Sequence, residues 1–240
     1  MRFGLVKYLN ALPFYTSLNT NDLQLTLGHP TELNYLLEQD KLDVALTSSV
    51  HSFEKNYRIL PYCIASDGPV MSVNLYLQKE LKNSRILLPY ASATSIALLK
   101  ILCFHFWKVE PLFVTQGQEY DGQLIIGDAA LAQYESSFQC IDLGQAWKEE
   151  TGLPFVFALM MAQEEIETNS LENALNKALE WARAHQQILL ERACQLSNLP
   201  YWLLANYYSK LLYRLEEKEL QGLKLFRELH KTLYVPTVTA

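Results

Sequence analysis

Two rhythms of apolar and polar positions run along this chain, and the switches between them mark its elements. "RFGLVKY" (2–8) is a short apolar run that reads as a buried strand. "ALPFYTSL" (11–18) reads as a short helix with Pro13 in its first turn, where a missing N–H costs little. "LQLTLGH" (23–29) is a strand, and "PTELNYLLEQ" (30–39) sets Leu33, Leu36 and Leu37 on one helical stripe behind Pro30. "LDVALTSS" (42–49) is a buried strand ending in hydroxyls. "RILPYCIAS" (58–66) is another, followed by an Asp67-Gly68-Pro69 turn and the extended run "VMSVNLYL" (70–77). "SRILLPY" (84–90) leads into "ASATSIALLKILCFHFW" (91–107), a hydroxyl-rich loop and then an apolar helix. "QLIIGDAALAQY" (123–134) repeats that scheme, and "IDLGQAW" (141–147) and "TGLPFVFALMM" (151–161) read as a turn and a strand. From Asn169 to the end the pattern is helical, with Leu171, Leu175, Ala178, Leu179 and Ala182 on one stripe and Tyr and Leu stripes beyond it.

Alternating strand and helix signals over the first two-thirds predict an α/β fold. No Pro/Gly/Ser linker separates two halves, so strands must join any two lobes. "SVNLYL" and "FVFALMM" are long apolar runs that bracket a middle segment of about 80 residues, a modest domain length. The expectation is a discontinuous first lobe, residues 1–76 plus 157–240, with a second lobe, 77–156, inserted and a ligand cleft between them.

Composition narrows the chemistry. Half of the 240 residues are apolar, enough for a large core. A net charge of −6 argues against nucleic acid, and no polybasic run suggests an anionic membrane. No apolar run approaches the ~18 residues of a membrane span. Met1-Arg2-Phe3-Gly4 enters a strand directly, without the charged, apolar and cleavage regions of a signal peptide, so a cytoplasmic protein is expected. Cys63, Cys103, Cys140 and Cys194 form no CxxC and read as buried thiols in a reducing compartment. His29, His51, His105, His185 and His230 show no metal-ligand spacing. Neither a metal nor an organic cofactor is expected.

Small hydroxyl and amide residues stand where strands end and helices begin. They are Asn10, Thr47-Ser48-Ser49, Ser66-Asp67-Gly68-Pro69, then Ser92, Thr94 and Ser95, and finally Gly127-Asp128. Each alone is a helix-cap signal, and Asn10 in particular caps well. Together they suit an anion, because helix N-termini offer free N–H groups and partial positive charge. Arg and Lys fall mostly in the helical tail or polar loops. The pattern therefore points to a small anionic metabolite held by N–H groups and hydroxyls in an interlobe cleft, with capping alone as the alternative. There is no GxSxG, HExxH, P-loop or GxGxxG. Asp43 reads as a strand-entry cap or turn, Asp128 as an N-cap and Asp142 as structural. His51 reads as a surface helix position, with an acid–base role as its alternative.

Taken in order, "GLVKYLNALPFY", "LDVALTSS", "ILPYCIASDGPVMSVNLYL", "SATSIALLKIL", "LIIGDAAL", "DLGQAW" and "TGLPFVFAL" resemble the chorismate dehydratase family of the futalosine route to menaquinone. The resemblance covers nearly the whole chain and implies a type 2 periplasmic-binding-protein fold turned into a cytoplasmic enzyme. It also implies elimination of water from chorismate, a small dicarboxylate, to give 3-[(1-carboxyvinyl)oxy]benzoate. The Asn of YLN and the Ser of GPVxSV, here Asn10 and Ser72, are implied to be catalytic. Ser92, Thr94 and Ser95 look like a carboxylate cradle, and Ser49, Gly68, Pro69, Val70 and Asp128 complete the expected substrate-binding set. Thr47-Ser48-Ser49 departs from the family's usual apolar residue, Pro and Ser. Two alternatives stand beside this reading. One is a non-catalytic carboxylate-binding protein of the same fold, and the other is the dihydroxynaphthoate-forming lyase of the same pathway.

Overall fold

The computed structural model describes residues 1–19, 22–90, 92–134 and 139–233. The expected loop start at Ala91 and the last residues of the expected helical tail lie outside these. The strands are β1 (Arg2–Val6), β2 (Gln24–Gly28), β3 (Val44–Ser48), β4 (Arg58–Ser66), β5 (Val73–Leu77), β6 (Arg85–Leu87), β7 (Leu112–Val114), β8 (Gly122–Ile126), β9 (Gln139–Asp142), β10 (Phe155–Ala162) and β11 (Leu211–Arg214). The helices are α1 (Leu12–Tyr15), α2 (Pro30–Glu38), α3 (Ala93–Ile101), α4 (Asp128–Ala132), α5 (Leu143–Thr151), α6 (Asn169–Ala184), α7 (Gln186–Ser197), α8 (Tyr201–Lys210) and α9 (Glu217–Thr232).

The strands form two sheets, one ordered β11-β4-β10-β3-β1-β2 and the other β7-β6-β8-β5-β9. The chain leaves the first sheet after Ser66 and returns to it at Phe155. In the first sheet β2, β1 and β3 run parallel, while β10 is antiparallel to both β3 and β4. All of β3 and all of β5 are buried, which explains why both read as unbroken apolar runs. In α6, Leu171, Leu175, Ala178 and Ala182 form the buried stripe.

Three elements differ from the sequence reading. "IDLGQAW" is not a turn but the end of β9 followed by α5. The Asp142 carboxylate caps that helix by accepting from the Gly144 and Gln145 N–H groups, and Gly152 closes it at φ 71°. The helical tail is broken by β11, because Leu211 and Leu212 complete the first sheet against Ser66 and Ala65. The run 70–77 becomes strand only at Val73, since Met71 takes a positive φ of 62° in the preceding turn.

Near the junction of the two sheets, rings of Trp147, Phe155 and Phe226 meet edge to face, with centroids 4.8–6.1 Å apart. They tie α5 to β10 and α9. A Cβ at Gly222 would lie 2.1 Å from the Pro154 carbonyl, so glycine is what lets α9 approach this closely. No helix among the described residues is long and apolar enough to cross a membrane. Cys63 and Cys103 are buried as expected, but Cys140 is exposed, because β9 is an edge strand of its sheet.

Candidate active site

A narrow cleft is lined from both sheets. Tyr8 and Asn10 reach it from the turn after β1, Ser48 from the end of β3, and Phe157 and Ala158 from β10. Val70 and Ser72 enter from the loop before β5, Ser92 and Ser95 from the start of α3, and Gly127 from the end of β8. Among the described residues the lining carries no Asp, Glu, His, Lys or Arg.

Asn10 is not a cap. It sits inside the 3-10 turn Leu9–Ala11, and the residue at the N-cap of α1 is Ala11. Two contacts fix that turn. The Leu9 N–H donates to the Asp128 carboxylate at 3.0 Å, and the Leu9 carbonyl accepts from the Tyr208 hydroxyl at 2.7 Å. The turn is thus clamped from α4 on one side and α8 on the other. Asn10 Oδ1 is buried and accepts no hydrogen bond from the described residues. A buried carbonyl of that kind costs free energy unless a ligand donates to it.

Ser72 is buried beside it. The Tyr207 hydroxyl donates to Ser72 Oγ at 3.1 Å, and the Asn10 amide lies close to that hydroxyl. Burial holds the Tyr207 phenol neutral, far above its ordinary range. The loop carrying Ser72 hangs on Asp142. Its carboxylate accepts from the Val70 N–H at 3.0 Å and the Met71 N–H at 2.6 Å as well as capping α5. Burial raises the Asp142 pKa, and its four backbone donors oppose that rise. Asp142 is structural, as expected, and what it supports is the Ser72 loop.

At the start of α3, Ser92 Oγ accepts from the Ser95 N–H at 3.2 Å and donates to Ser95 Oγ at 2.9 Å. The remaining first-turn N–H groups of α3 have no intrahelical acceptors. Opposite, the Tyr8 ring lies where a Gly127 Cβ would stand, 2.8 Å away, and Gly127 itself has φ 65°. Burial raises the Tyr8 phenol to about 12, with Asp128 adding to the rise, and its hydroxyl lies 3.3 Å from His29 Nδ1.

The expected set therefore divides. Asn10, Val70, Ser72, Ser92 and Ser95 come together in the cleft wall. Ser49, Gly68, Pro69, Thr94 and Asp128 do not line it. Ser49 Oγ donates to the Val156 carbonyl at 2.7 Å, tying the turn after β3 to β10, and Thr94 Oγ1 accepts the Val50 N–H at 3.2 Å, tying that turn to α3. Gly68 makes the turn before Pro69 at φ 123°. Asp128 is the first residue of α4 rather than its N-cap, because Gly127 holds that place. Burial raises its carboxyl pKa against the Leu9 N–H bond. In the departing segment, Thr47 is absorbed by Pro30 and Asn34, leaving Ser48 to face the cleft.

His51 is not on the surface. It is 3% exposed on the 3-10 turn Ser49–Phe53, and burial lowers its pKa. Its donor atoms, with those of Glu38 and Glu54, lie within 4.8 Å of one another, although their spacing in sequence gives no such sign. Glu38 already faces Lys55 at 3.8 Å, and none of the three lines the cleft. Sequence reading passed over Tyr207 and Tyr208, whose stripe looks like ordinary core until the hydroxyls are seen to face Ser72 and Leu9.

A family model described as menaquinone biosynthesis matches residues 1–232. The chain belongs to that family. It is 31% identical to a chorismate dehydratase of Thermus thermophilus, over 94% of this chain and 93% of the relative. It is 32% identical to a chorismate dehydratase of Campylobacter jejuni, over 86% of this chain and 80% of the relative. Among solved structures, a protein of Archaeoglobus fulgidus superposes with a TM-score of 0.78 at 19% identity, over 97% of each chain. The alkanesulfonate-binding protein of Xanthomonas axonopodis pv. citri superposes with a TM-score of 0.68 at 13% identity, over 97% of this chain and 92% of that one. The fold of this menaquinone-family chain is therefore like that of the periplasmic binding proteins, as the resemblance implied.

Proposed function

We propose that the cleft dehydrates chorismate, giving 3-[(1-carboxyvinyl)oxy]benzoate for menaquinone biosynthesis. Membership of the family supports the reaction, and the buried, unpartnered Asn10 Oδ1 beside Ser72 supports its place. The departing group is an alcohol, which both donates and accepts. Asn10 Oδ1 takes its proton in a hydrogen bond, and the Ser72 hydroxyl donates to its oxygen. As the C–O bond breaks, negative charge gathers on that oxygen, and the Ser72 bond strengthens.

The ring proton needs an acceptor, and among the described residues the cleft lining offers no Asp, Glu, His or Lys, while its one phenol, Tyr8, is raised to about 12. The substrate's own enolpyruvyl carboxylate fills that role. It takes the ring proton, the C–H pair becomes the new ring double bond, and the hydroxyl leaves with the C–O pair. The proton then passes to the leaving oxygen, so that one water is released and the ring is aromatic. Positioning carries most of the rate in such a scheme. The ring carboxylate lies at the start of α3, against Ser92, Ser95 and the free N–H groups, where the helix dipole favours negative charge. Two lobes, expected as 1–76 plus 157–240 and 77–156, enclose the substrate; the two sheets support such a division, with the crossings between Ser66 and Val73 and between Asp142 and Phe155 rather than at 76 and 156. A cytoplasmic setting accompanies the reading and is supported by four free cysteines.

The test is incubation of purified protein with chorismate, without metal or cofactor, followed by HPLC with mass detection. The expected outcome is a product lighter by one water, absent with Asn10→Ala. Thermal stabilisation by chorismate without any product would reassign the chain to binding.

A further inference from the structure

We propose that Tyr207 is a positioning residue that fixes which cleft group donates and which accepts. It rests on the reading of Asn10 and Ser72 given above. The observations are local. Tyr207 is fully buried on α8 and does not line the cleft, so it acts through its neighbours. Its hydroxyl proton is spent on Ser72 Oγ, at 3.1 Å. A hydroxyl that accepts there turns its own proton elsewhere, and the cleft is the open side. Asn10 Oδ1 is buried without a partner among the described residues, and in the proposed relay the nearby Asn10 N–H turns toward the Tyr207 oxygen.

The chain of donors thus runs from the Asn10 amide to Tyr207, from Tyr207 to Ser72, and from Ser72 into the cleft. It ends with an acceptor at Asn10 and a donor at Ser72, the complement of a single alcohol. Without Tyr207 both groups lose their orientation. An asparagine amide can then present either its N–H₂ or its oxygen, and a serine hydroxyl can turn to any staggered direction. Desolvation keeps the phenol from ionising, so Tyr207 stays a donor across the working pH range.

Tyr207→Phe keeps the ring and removes the relay. In steady-state assays with chorismate, kcat falls by about tenfold to a hundredfold while KM changes less than about threefold, because orientation is lost rather than the carboxylate cradle. In a Ser72→Ala background the same change costs no more than about a further twofold, since the two act as one unit. A purely structural role would give additive losses. A second readout needs no substrate. With ¹⁵N-labelled asparagine, the Asn10 side-chain amide is assigned by its disappearance in Asn10→Ala, and its hydrogen exchange is measured. It exchanges at least about tenfold faster in Tyr207→Phe than in the wild type. Unchanged exchange, or unchanged kcat in an enzyme that turns chorismate over, overturns the relay. A wild type inert toward chorismate overturns the functional reading instead, and the amide exchange still decides the relay. If Tyr207→Phe does not fold, Ser72→Ala replaces it. There Tyr207 has lost its acceptor, so unchanged Asn10 amide signals would sink the proposal.

Discussion

Two hollows of the molecule contrast, and the larger of them lacks the chemistry. A groove runs between α6, α7, α8 and β11 and is much roomier than the cleft. It is rich in charge, with Glu180, Arg183, Arg214, Glu216 and Glu219 in its lining. Several of these groups are already employed by the fold. Arg214 donates to Asn176 at 2.7 Å and lies over the Tyr62 ring, while Glu219 closes a capping box with the Glu216 N–H. Tyr213 carries a buried hydroxyl without a partner among the described residues. In the cleft the polar groups come from both sheets and one acceptor is left over. Volume records how far helices splay apart. Function follows from where unspent donors and acceptors converge. Tyr208 belongs to both regions, lining the groove while its hydroxyl holds the turn that carries Asn10.

The largest effect expected separates the two hollows directly. Asn10→Ala and Ser72→Ala each lower kcat by about a hundredfold or more, the size seen when a transition-state hydrogen bond is removed. Thermal midpoints move little in the same variants. Arg183→Ala in the groove leaves kcat within about twofold, as surface changes usually do. Steady-state kinetics beside thermal melts checks all three, and a groove variant as damaging as Ser72→Ala would erase the distinction. Next in size is Gly127→Ala. The new methyl meets the Tyr8 ring at 2.8 Å and the backbone is held at φ 65°, so activity and stability fall together. Roughly 2 kcal/mol of stability is expected to go, with at least a tenfold loss of kcat. Alanine tolerated there at full activity would mean that the Tyr8–Gly127 contact does not shape the cleft.

Much of this was legible in the residues. Polar stops at strand ends placed Asn10, Ser92 and Ser95, the family resemblance pointed to Ser72, and apolar runs marked the strands of the two sheets. Other features were hidden for physical reasons. β11 is a four-residue strand with a helix-like flank, made a strand only by the free edge of β4. In α5 the capping pair Asp142 and Gly152 was present in the sequence but lay behind a glycine that suggested a turn. Asp128 reads as a cap of its own helix because a sequence cannot show that Leu9, 119 positions away, offers the N–H it takes. Tyr207 and Tyr208 look alike in sequence, and only tertiary contacts give one a side-chain partner and the other a backbone partner.

Asp142→Asn sharpens the comparison at the Ser72 loop. The amide cannot accept on both of its atoms, so donors among Val70, Met71, Gly144 and Gln145 are left facing an N–H₂ group. The loss is about 2–3 kcal/mol, or roughly 5–10 °C in Tm for a chain of this size. Activity falls about tenfold as the Ser72 loop loosens. Differential scanning calorimetry with kinetics measures both. A variant that loses stability but keeps kcat would show that α5 alone, and not the loop, depends on this carboxylate.

The smallest effect concerns pH, and it divides the cleft from its surroundings. Burial pushes His51 below its ordinary value, against the opposing pull of Glu38 and Glu54 and with Lys55 adding to the fall. Above the unfolded value, about 6.5, the imidazole is neutral in both states and costs nothing. As pH drops below that value the unfolded chain takes up the proton first, so stability is lost from there down to the lower folded value. His230, also lowered by burial, contributes with the same sign. Tm should therefore decline by a few degrees between about pH 7.5 and 5.5, and His51→Gln should flatten part of that slope. The cleft lining has no ionisable group that titrates in this range, since the Tyr8 phenol lies up at about 12. kcat should then stay level over the same interval while Tm moves. A bell-shaped kcat profile with a limb near neutrality would instead place a titrating protein base at the reaction, and the substrate carboxylate would lose its role as proton acceptor.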